Sequence, residues 1–252
     1  MIYQTFAKLY DDLMDPAMYD QWLDFVSKRQ KNKRANWLDL ACGSGRLAVK
    51  LIQEGYQVSG FDLSEEMLAL ADEHAHEAEV ELPLVQGNML DLSELDQYDV
   101  VSCFADSLCY LPDETALKQC LAEVFKHLNS NGKFLFDVIS PYQTDEVYPG
   151  YMYNYVDDQQ AFLWTTYQTE KPHSVEHDLT FFVKNSDKEQ YSKINELHHE
   201  RTYELETYVD LLKKVGFSKI SYSSDFGKAE ISDESTRWFF ECIKPCGNKS
   251  SM

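Results

Sequence analysis

Residues 37–45 read WLDLACGSG, and this stretch decides which fold the chain can adopt. Its first half is a short apolar run, which predicts a buried strand (residues 36–40) that leads into a glycine-rich turn. The apolar periodicity of residues 46–55 predicts a helix that ends at Gly55. A strand, a glycine turn and a helix in this order are typical of α/β proteins that bind a ligand at the turn.

The turn has the composition needed to bind an amino-acid zwitterion. Gly43 and Gly45 carry no Cβ, so the backbone can approach a ligand closely. The helix N-terminus offers free N–H groups to a carboxylate, and Asp39 at the end of the strand can attract an ammonium group. Other nucleotide motifs fit less well: Ala48 matches only the relaxed form of GxGxxG, and no GK[ST] follows the turn.

Strands and helices alternate on both sides of this unit. Residues 1–30 are predicted to be helical, with a break near Asp15 and Pro16, and residues 129–132 (NSNG) are predicted to form a turn. The further predicted strands are 57–62, 82–86, 98–104, 133–139, 218–223 and 236–243, and the further predicted helices are 65–77, 114–128 and 204–214. This order predicts a doubly wound, Rossmann-like α/β fold with a seven-stranded, mostly parallel sheet.

The pattern changes between residues 147 and 203. Short alternating stretches rich in aromatic and β-branched residues, such as AFLWTTYQT, are separated by turn residues. This pattern predicts a small antiparallel sheet inserted into the α/β domain. The main domain would then comprise residues 1–146 and 204–252, and the insertion residues 147–203.

Composition limits the partners that the chain can have. The formal net charge is −20, which disfavours nucleic acid and anionic membranes as partners. No apolar run approaches the ~20 residues that span a bilayer, and the N-terminal residues do not resemble a signal peptide. The six cysteines lack metal-ligand spacing. We therefore expect a cytoplasmic protein with free thiols and no metal, either a monomer or a homodimer.

Asp62 ends the second predicted strand, where a carboxylate can accept both hydroxyl protons of a ribose diol. The alternative role for Asp62 is to cap the next helix, a task that Ser64 can perform. Together with the amino-acid site at residues 37–45, a ribose-binding acid indicates a nucleoside that bears an amino acid.

Residues 39–45, DLACGSG, resemble motif I of class I S-adenosylmethionine-dependent methyltransferases. Asp62 matches the ribose-binding acid of that family, and Gly87-Asn88-Met89 resembles its adenine-binding turn. The family more often has Gly-Asp-Met there, so Asn88 departs from the pattern, and we expect its amide oxygen to bind the adenine amino group. Residues 98–108 resemble the fourth strand and its loop.

The resemblance implies S-adenosylmethionine as methyl donor and S-adenosylhomocysteine as product. The cofactor contacts that it implies are Tyr10, Asp39, Ala41, Cys42, Gly43, Gly45, Asp62, Leu63, Met67, Asn88, Met89 and Phe104.

The N-terminal residues narrow the subgroup. Residues 3–14, YQTFAKLYDDLM, are similar to the lid helix of small-molecule methyltransferases, including those that N-methylate glycine and aminosugars. Tyr10 and Asp11 match a YD pair of that group, which implies that residues 1–30 form a lid and that Tyr10, with Tyr3 or Tyr19, lies near the sulfonium. Tyr110 stands where aminosugar N-methyltransferases have a histidine, which is a second departure from the pattern.

The candidate catalytic residues are Tyr10, Tyr110 and His199, and the candidate substrate-binding residues are Asp106 and Arg201. Tyr110 or His199 would handle the proton of the acceptor, and Arg201 would anchor an anionic group. Strict alternation puts His199 and Arg201 on one face of the last insertion strand and His198 on the other. Structural or surface roles for each of these residues are the alternative.

The predicted function is in-line methyl transfer from S-adenosylmethionine to a nitrogen or oxygen of a small molecule. An RNA or protein methyltransferase is an alternative, against which stand the acidic charge and the FADS sequence (residues 104–107) in place of an NPPY-type motif. A non-catalytic regulatory or assembly protein that binds S-adenosylmethionine is the second alternative, and a dehydrogenase is the third.

Overall fold

The chain folds into two sheets with helices on both faces of the larger one. The computed structural model describes residue 11, residues 14–185 and residues 190–246. Seven strands form one sheet and four strands form the other. This architecture confirms the predicted fold class. Within the described residues, no helix combines the length and hydropathy that crossing a membrane requires.

The elements follow each other in the predicted order. They are α1 (Pro16–Arg29), β1 (Asn36–Leu40), α2 (Arg46–Gln53), β2 (Gln57–Asp62), α3 (Glu65–Glu77), β3 (Leu84–Gln86), β4 (Tyr98–Cys103), α4 (Glu114–His127), β5 (Leu128–Ile139), β6 (Met152–Val156), β7 (Gln160–Gln168), β8 (Ser174–Lys184), β9 (Tyr191–Arg201), α5 (Leu205–Val215), β10 (Lys219–Ser223) and β11 (Arg237–Ile243). Short helical turns occur at Ser107–Tyr110, Gln143–Val147 and Asp225–Gly227.

The larger sheet has the strand order β10-β11-β5-β4-β1-β2-β3. β11 runs antiparallel to β5 and β10, and the other pairs are parallel. The chain reverses its winding direction between β1 and β4, and such a switch point opens a crevice at the carboxyl ends of the strands. Because β11 is antiparallel, its first residue, Arg237, lies at this same edge, opposite Ile139.

Two apolar layers hold the helices to this sheet. Trp22 and Phe25 of α1 pack with α2 and α3 against one face, and Leu121 of α4 and Tyr208 of α5 pack against the other. The helix starts follow from capping: Asp15 caps α1, which has Pro16 at its first position, and Ser64 caps α3. The burial of these apolar side chains holds the helices against the sheet, and the position of its carboxyl edge is thereby fixed.

The predicted turn at residues 129–132 lies within a strand instead. β5 begins at Leu128, directly after α4, and its pairing with β4 shifts register between Tyr98 and Val100, whose partners are Leu128 and Lys133. Asn131 N–H donates to the Lys244 carbonyl, and Lys244 N–H donates to the Gly132 carbonyl. These bonds to Lys244, which is distant in the sequence, hold residues 129–132 in the strand. The local sequence does not show them.

The smaller sheet has the order β6-β7-β8-β9, and all its pairs are antiparallel. We call it the insertion sheet, because it falls within the predicted insertion. In β8, alternate side chains are buried. We define the inner face of the insertion sheet by these side chains and by those of β7 and β9 that pair with them: Phe162, Trp164, Thr166, Val175, His177, Leu179, Phe181, Ile194, Glu196, His198 and Glu200. Phe162, Leu179 and Phe181 form a small apolar core on this face.

Candidate cofactor and acceptor site

The glycine turn after β1 presents its backbone to open space. Ala41, Gly43 and Gly45 have positive φ angles of 56°, 53° and 71°. A Cβ on Gly43 would meet no described atom within 4 Å, so a ligand can approach the main chain there. A Cβ on Gly45 would lie 2.7 Å from the Cβ of Ala71, so this glycine lets α2 approach α3. Cys42 packs its Sγ beside Gly60 in the same turn.

Asp39 is a buried carboxylate with a single side-chain partner among the described residues. Ser102 Oγ donates to Asp39 Oδ1 at 2.7 Å, and Trp37 Nε1 in turn donates to Ser102 Oγ at 2.8 Å. Burial raises the pKa of Asp39 to about 7; the Ser102 hydrogen bond opposes the rise and the charge of Asp62 adds to it. A ligand ammonium group would compensate this charge, as the sequence predicts.

Asp62 joins the end of β2 to the glycine turn. Its Oδ2 accepts from the Gly43 N–H at 2.8 Å and its Oδ1 from the Ser64 N–H at 2.9 Å. Ser64 Oγ accepts from the Met67 N–H at 3.1 Å, so the helix cap is Ser64. Each carboxylate oxygen of Asp62 retains a lone pair for a ribose hydroxyl. Leu63, which follows it, is 67% exposed.

The turn after β3 carries the predicted adenine contacts. Gly87 is required there because a Cβ would lie 2.5 Å from the Phe61 ring. Asn88 is exposed, and its Oδ1 accepts from the Leu90 N–H at 3.0 Å. Met89 is partly buried against the core. The amide oxygen predicted to bind adenine therefore also shapes the turn, and its second lone pair remains for a ligand.

Asp106, predicted to bind substrate, lies in a buried ionic network. Arg237 Nη1 donates to Asp106 Oδ1 at 2.8 Å and to Asp137 Oδ1 at 3.0 Å. The Asp106 N–H donates to Asp137 Oδ1 at 2.8 Å, and Trp22 Nε1 donates to Asp137 Oδ2 at 2.8 Å. Burial raises the pKa of Asp106 to about 6, although Arg237 opposes the rise. The network links α1, β5, β11 and the loop after β4.

Sequence reasoning missed Asp137 and Arg237. The signal for Asp137 was a lone acid in the apolar strand KFLFDVI, whereas Arg237 had no local signal. Phe104, predicted to contact the cofactor, is buried, with its ring centroid 6.1 Å from that of Trp22 and 6.0 Å from that of Phe25. Its side chain therefore belongs to the core.

The insertion sheet brings Tyr110 together with His198 rather than with His199. The rings of Tyr110 and His198 are 5.9 Å apart. The side chain of His199 lies on the opposite face, 62% exposed, with its Nδ1 3.2 Å from Glu176 Oε1. Arg201 places its guanidinium 5.0 Å from the Tyr203 ring. The predicted alternation of β9 is observed, but the face directed towards Tyr110 is that of His198 and Glu200.

Asp11 contacts the glycine turn and the start of α2. Tyr3 and Tyr10 lie outside the described residues. The buried carboxylate of Asp11 accepts a hydrogen bond from Ser44 Oγ, and it accepts from Arg46 Nε at 2.7 Å and from Arg46 Nη2 at 2.5 Å. Burial, with a contribution from Asp11, raises the pKa of nearby Tyr19 to about 12. A residue of the predicted lid thus contacts motif I directly.

Comparison with known proteins identifies the family. Residues 38–132 match the model of a methyltransferase domain. A putative methyltransferase of Geobacillus sp. strain WCH70 is 40% identical over 97% of this chain and 100% of its own length. The crystal structure of an S-adenosylmethionine-dependent methyltransferase from Clostridium acetobutylicum superposes with a TM-score of 0.83 and 27% identity, covering 97% of this chain and 100% of that one.

A sugar N-methyltransferase from Streptoalloteichus sp. shares the fold, with a TM-score of 0.75 and 17% identity over 95% of this chain and 92% of its own. The chain belongs to the class I S-adenosylmethionine-dependent methyltransferases.

Proposed function

We propose that this enzyme transfers the methyl group of S-adenosylmethionine to a nitrogen or oxygen of a small-molecule acceptor by in-line displacement. One observation carries the proposal: the inner face of the insertion sheet meets the carboxyl edge of the α/β sheet at Tyr110, next to the Asp106–Arg237 network. The acceptor would bind among these aromatic and charged groups. Such a lining suits a small molecule better than a polynucleotide.

The residues present fit the cofactor. Asp39 would hold its ammonium group, the N-terminus of α2 its carboxylate, Asp62 its ribose hydroxyls, and Asn88 with Met89 its adenine. When bound, the cofactor supplies an electrophilic methyl group on a sulfonium. The protein then mainly positions and desolvates the nucleophile, and positioning alone contributes ~7–11 kcal/mol to such reactions.

We also propose the roles that the sequence predicts for the residues on the acceptor side. Tyr10 would face the sulfonium, because aromatic rings attract cations. Tyr110, beside the inner face of the insertion sheet, is better placed than the exposed His199 to receive the acceptor proton. Asp106 would act on the acceptor through its network with Arg237, and Arg201 would bind an anionic group. We propose that the enzyme uses no metal, has no nucleic-acid partner and is a monomer or a homodimer.

Methyl transfer in the presence of different acceptors tests this function. Purified enzyme with S-adenosylmethionine is expected to release S-adenosylhomocysteine with members of a panel of small amines and alcohols, and not with total tRNA or a mixture of peptides. Calorimetric titration should show binding of S-adenosylhomocysteine and no binding of NADH. Methylation of the tRNA or the peptides would contradict the small-molecule assignment while leaving the cofactor assignment intact.

The affinity for S-adenosylhomocysteine should depend on pH through Asp39. With the pKa of Asp39 raised to about 7 in the free enzyme, binding of an ammonium group requires loss of the Asp39 proton below that pH. We therefore expect the affinity to fall up to about tenfold per pH unit below 7 and to level off above it. Calorimetry between pH 5.5 and 8 measures this dependence.

The Asp39→Asn variant is the matched comparison for that profile. It retains an oxygen that can accept from Ser102 and lacks the titrating group, so its affinity should be lower and nearly independent of pH. Burial also raises the pKa of Asp62, so any slope that remains in the variant is assigned to Asp62. An unchanged profile in the variant would show that Asp39 does not bind the ammonium group.

A further inference from the structure

The inner face of the insertion sheet contains two buried polar atoms that lack hydrogen-bond partners. His177 and Glu200 are 3% and 4% exposed. Within the described part of the chain, His177 Nε2 and Glu200 Oε2 have no hydrogen-bond partner, and they lie 3.4 Å apart without the geometry of a hydrogen bond. A buried carboxylate oxygen without a hydrogen-bond donor is costly, so Glu200 is a candidate to bind a ligand that brings a donor to it.

Trp164 fixes the orientation and the proton position of His177. Trp164 Nε1 donates to His177 Nδ1 at 3.1 Å, and Thr166 Oγ1 lies 2.8 Å from the same nitrogen. An indole nitrogen can only donate, so Nδ1 carries a lone pair and the proton of the neutral ring is on Nε2. The Nε2–H therefore lies near the Glu200 carboxylate but is not aimed at Oε2, and His177, held by Trp164, is a positioning residue beside Glu200.

Glu200 is close to the charged groups at the carboxyl edge of the larger sheet. Burial raises the pKa of Asp106 most, Arg237 opposes the rise, and the charge of Glu200 adds to it. The Tyr148 ring lies 4.9 Å from that of His177. Among the described residues, the carboxylates of Asp106, Asp137 and Glu200 lie here, and the guanidinium of Arg237 bonds the first two of them. The cluster therefore has a deficit of positive charge at Glu200.

We propose that Glu200, oriented by His177 and Trp164, binds a cationic nitrogen of the methyl acceptor. This assignment rests on the proposed function, because it places the acceptor between the insertion sheet and the carboxyl edge. The bound cation would supply the close donor that the Glu200 carboxylate lacks, and it would balance the charge of the cluster. The contact is an anchoring one, so the nitrogen that it holds need not be the atom that is methylated.

The stability of the Glu200→Gln variant without any ligand is the first test. If the carboxylate is retained for binding, its removal relieves an uncompensated buried charge, and the Tm at pH 8 should be unchanged or about 2–4 °C higher than in the wild type. If Glu200 has a structural role instead, the Tm should fall. Glu176→Gln is the matched control, since Glu176 also pairs with a histidine, His199, but on the exposed face.

Ligand binding is the second test, with amines matched to alcohols of the same carbon skeleton. In the presence of saturating S-adenosylhomocysteine, thermal shifts are recorded for cyclohexylamine against cyclohexanol and for glucosamine against glucose. We expect an amine, and not its alcohol, to protect the wild type and the Glu176→Gln variant. The apparent affinity of the Glu200→Gln variant for that amine should be about 10- to 100-fold weaker.

Three results would overturn the proposal. The first is a lower Tm for Glu200→Gln than for Glu176→Gln, the second is protection of the wild type by the alcohols as well as the amines, and the third is no protection by any of the four compounds. Titration with S-adenosylhomocysteine separates this failure from that of the proposed function. Glu200→Gln should keep the cofactor affinity of the wild type, whereas a wild type that does not bind the cofactor contradicts the proposed function itself.

Discussion

Replacement of Arg237 by methionine is expected to lower the free energy of unfolding by about 3–5 kcal/mol, because it leaves buried carboxylates without their cation. Arg237 Nη1 contacts both Asp106 and Asp137, at 2.8 and 3.0 Å, and the Asp137 side chain is fully buried. Methionine preserves much of the volume and removes the charge and the donors. Urea-induced unfolding at pH 8, above the raised pKa of Asp106, measures the loss.

Lys28→Met is the control for this prediction. Lys28 pairs with Asp24 at 2.6 Å, but the two side chains are 59% and 46% exposed, so water replaces the lost contact. Exposed pairs of this kind contribute less than about 1 kcal/mol. A loss in Arg237→Met as small as that in Lys28→Met would mean that the buried network does not stabilise the fold.

Replacement of Asp62 by asparagine is expected to reduce the affinity for S-adenosylhomocysteine about 100-fold or more. The amide keeps one acceptor, but it replaces the second with a donor, so the variant cannot accept from both ribose hydroxyls while it accepts from the Gly43 and Ser64 N–H groups. Charge-assisted hydrogen bonds contribute about 1.5–3 kcal/mol each, and 1.4 kcal/mol corresponds to a tenfold change in affinity. Calorimetry on the folded variant, with its fold checked by circular dichroism, gives the value.

Ser64→Ala separates this effect from damage to α3. It removes the cap that Ser64 Oγ provides to the Met67 N–H, at a cost of about 1 kcal/mol in stability, without touching the Asp62 carboxylate. Its affinity for S-adenosylhomocysteine should match that of the wild type. Equal losses of affinity in the two variants would show that Asp62 acts by shaping the helix start and not by binding ribose.

The cofactor half of the site could be predicted from sequence because its determinants are local. The apolar run, the glycine turn and the helix that follow one another in residues 36–55 specify motif I through strand periodicity and turn chemistry alone. The position of Asp62 could be predicted in the same way, because it ends the next strand. Neighbouring parallel strands end at one edge, so no knowledge of distant contacts is needed to bring Asp39 and Asp62 together.

The acceptor half depends on pairings that local patterns do not contain. Arg237 reaches Asp106 and Asp137 because β11 pairs antiparallel with β5. Arg237 and Asp137 are 100 residues apart in the sequence. In β9, alternation separates His198 from His199 but does not say which face is buried. A shift of one residue exchanges the faces, and for this reason the sequence did not show that Glu200 is buried and His199 exposed.

The position of β11 also has a consequence for synthesis on the ribosome. β11 lies between β5 and β10, so the sheet cannot be completed until β11 has been made and has inserted beside β5, which precedes it in the chain. Until Arg237 emerges, Asp106 and Asp137 lack the cation that they share in the described structure. The nascent chain should therefore form its cofactor half first and become competent for methyl transfer only after β11 has emerged and paired with β5.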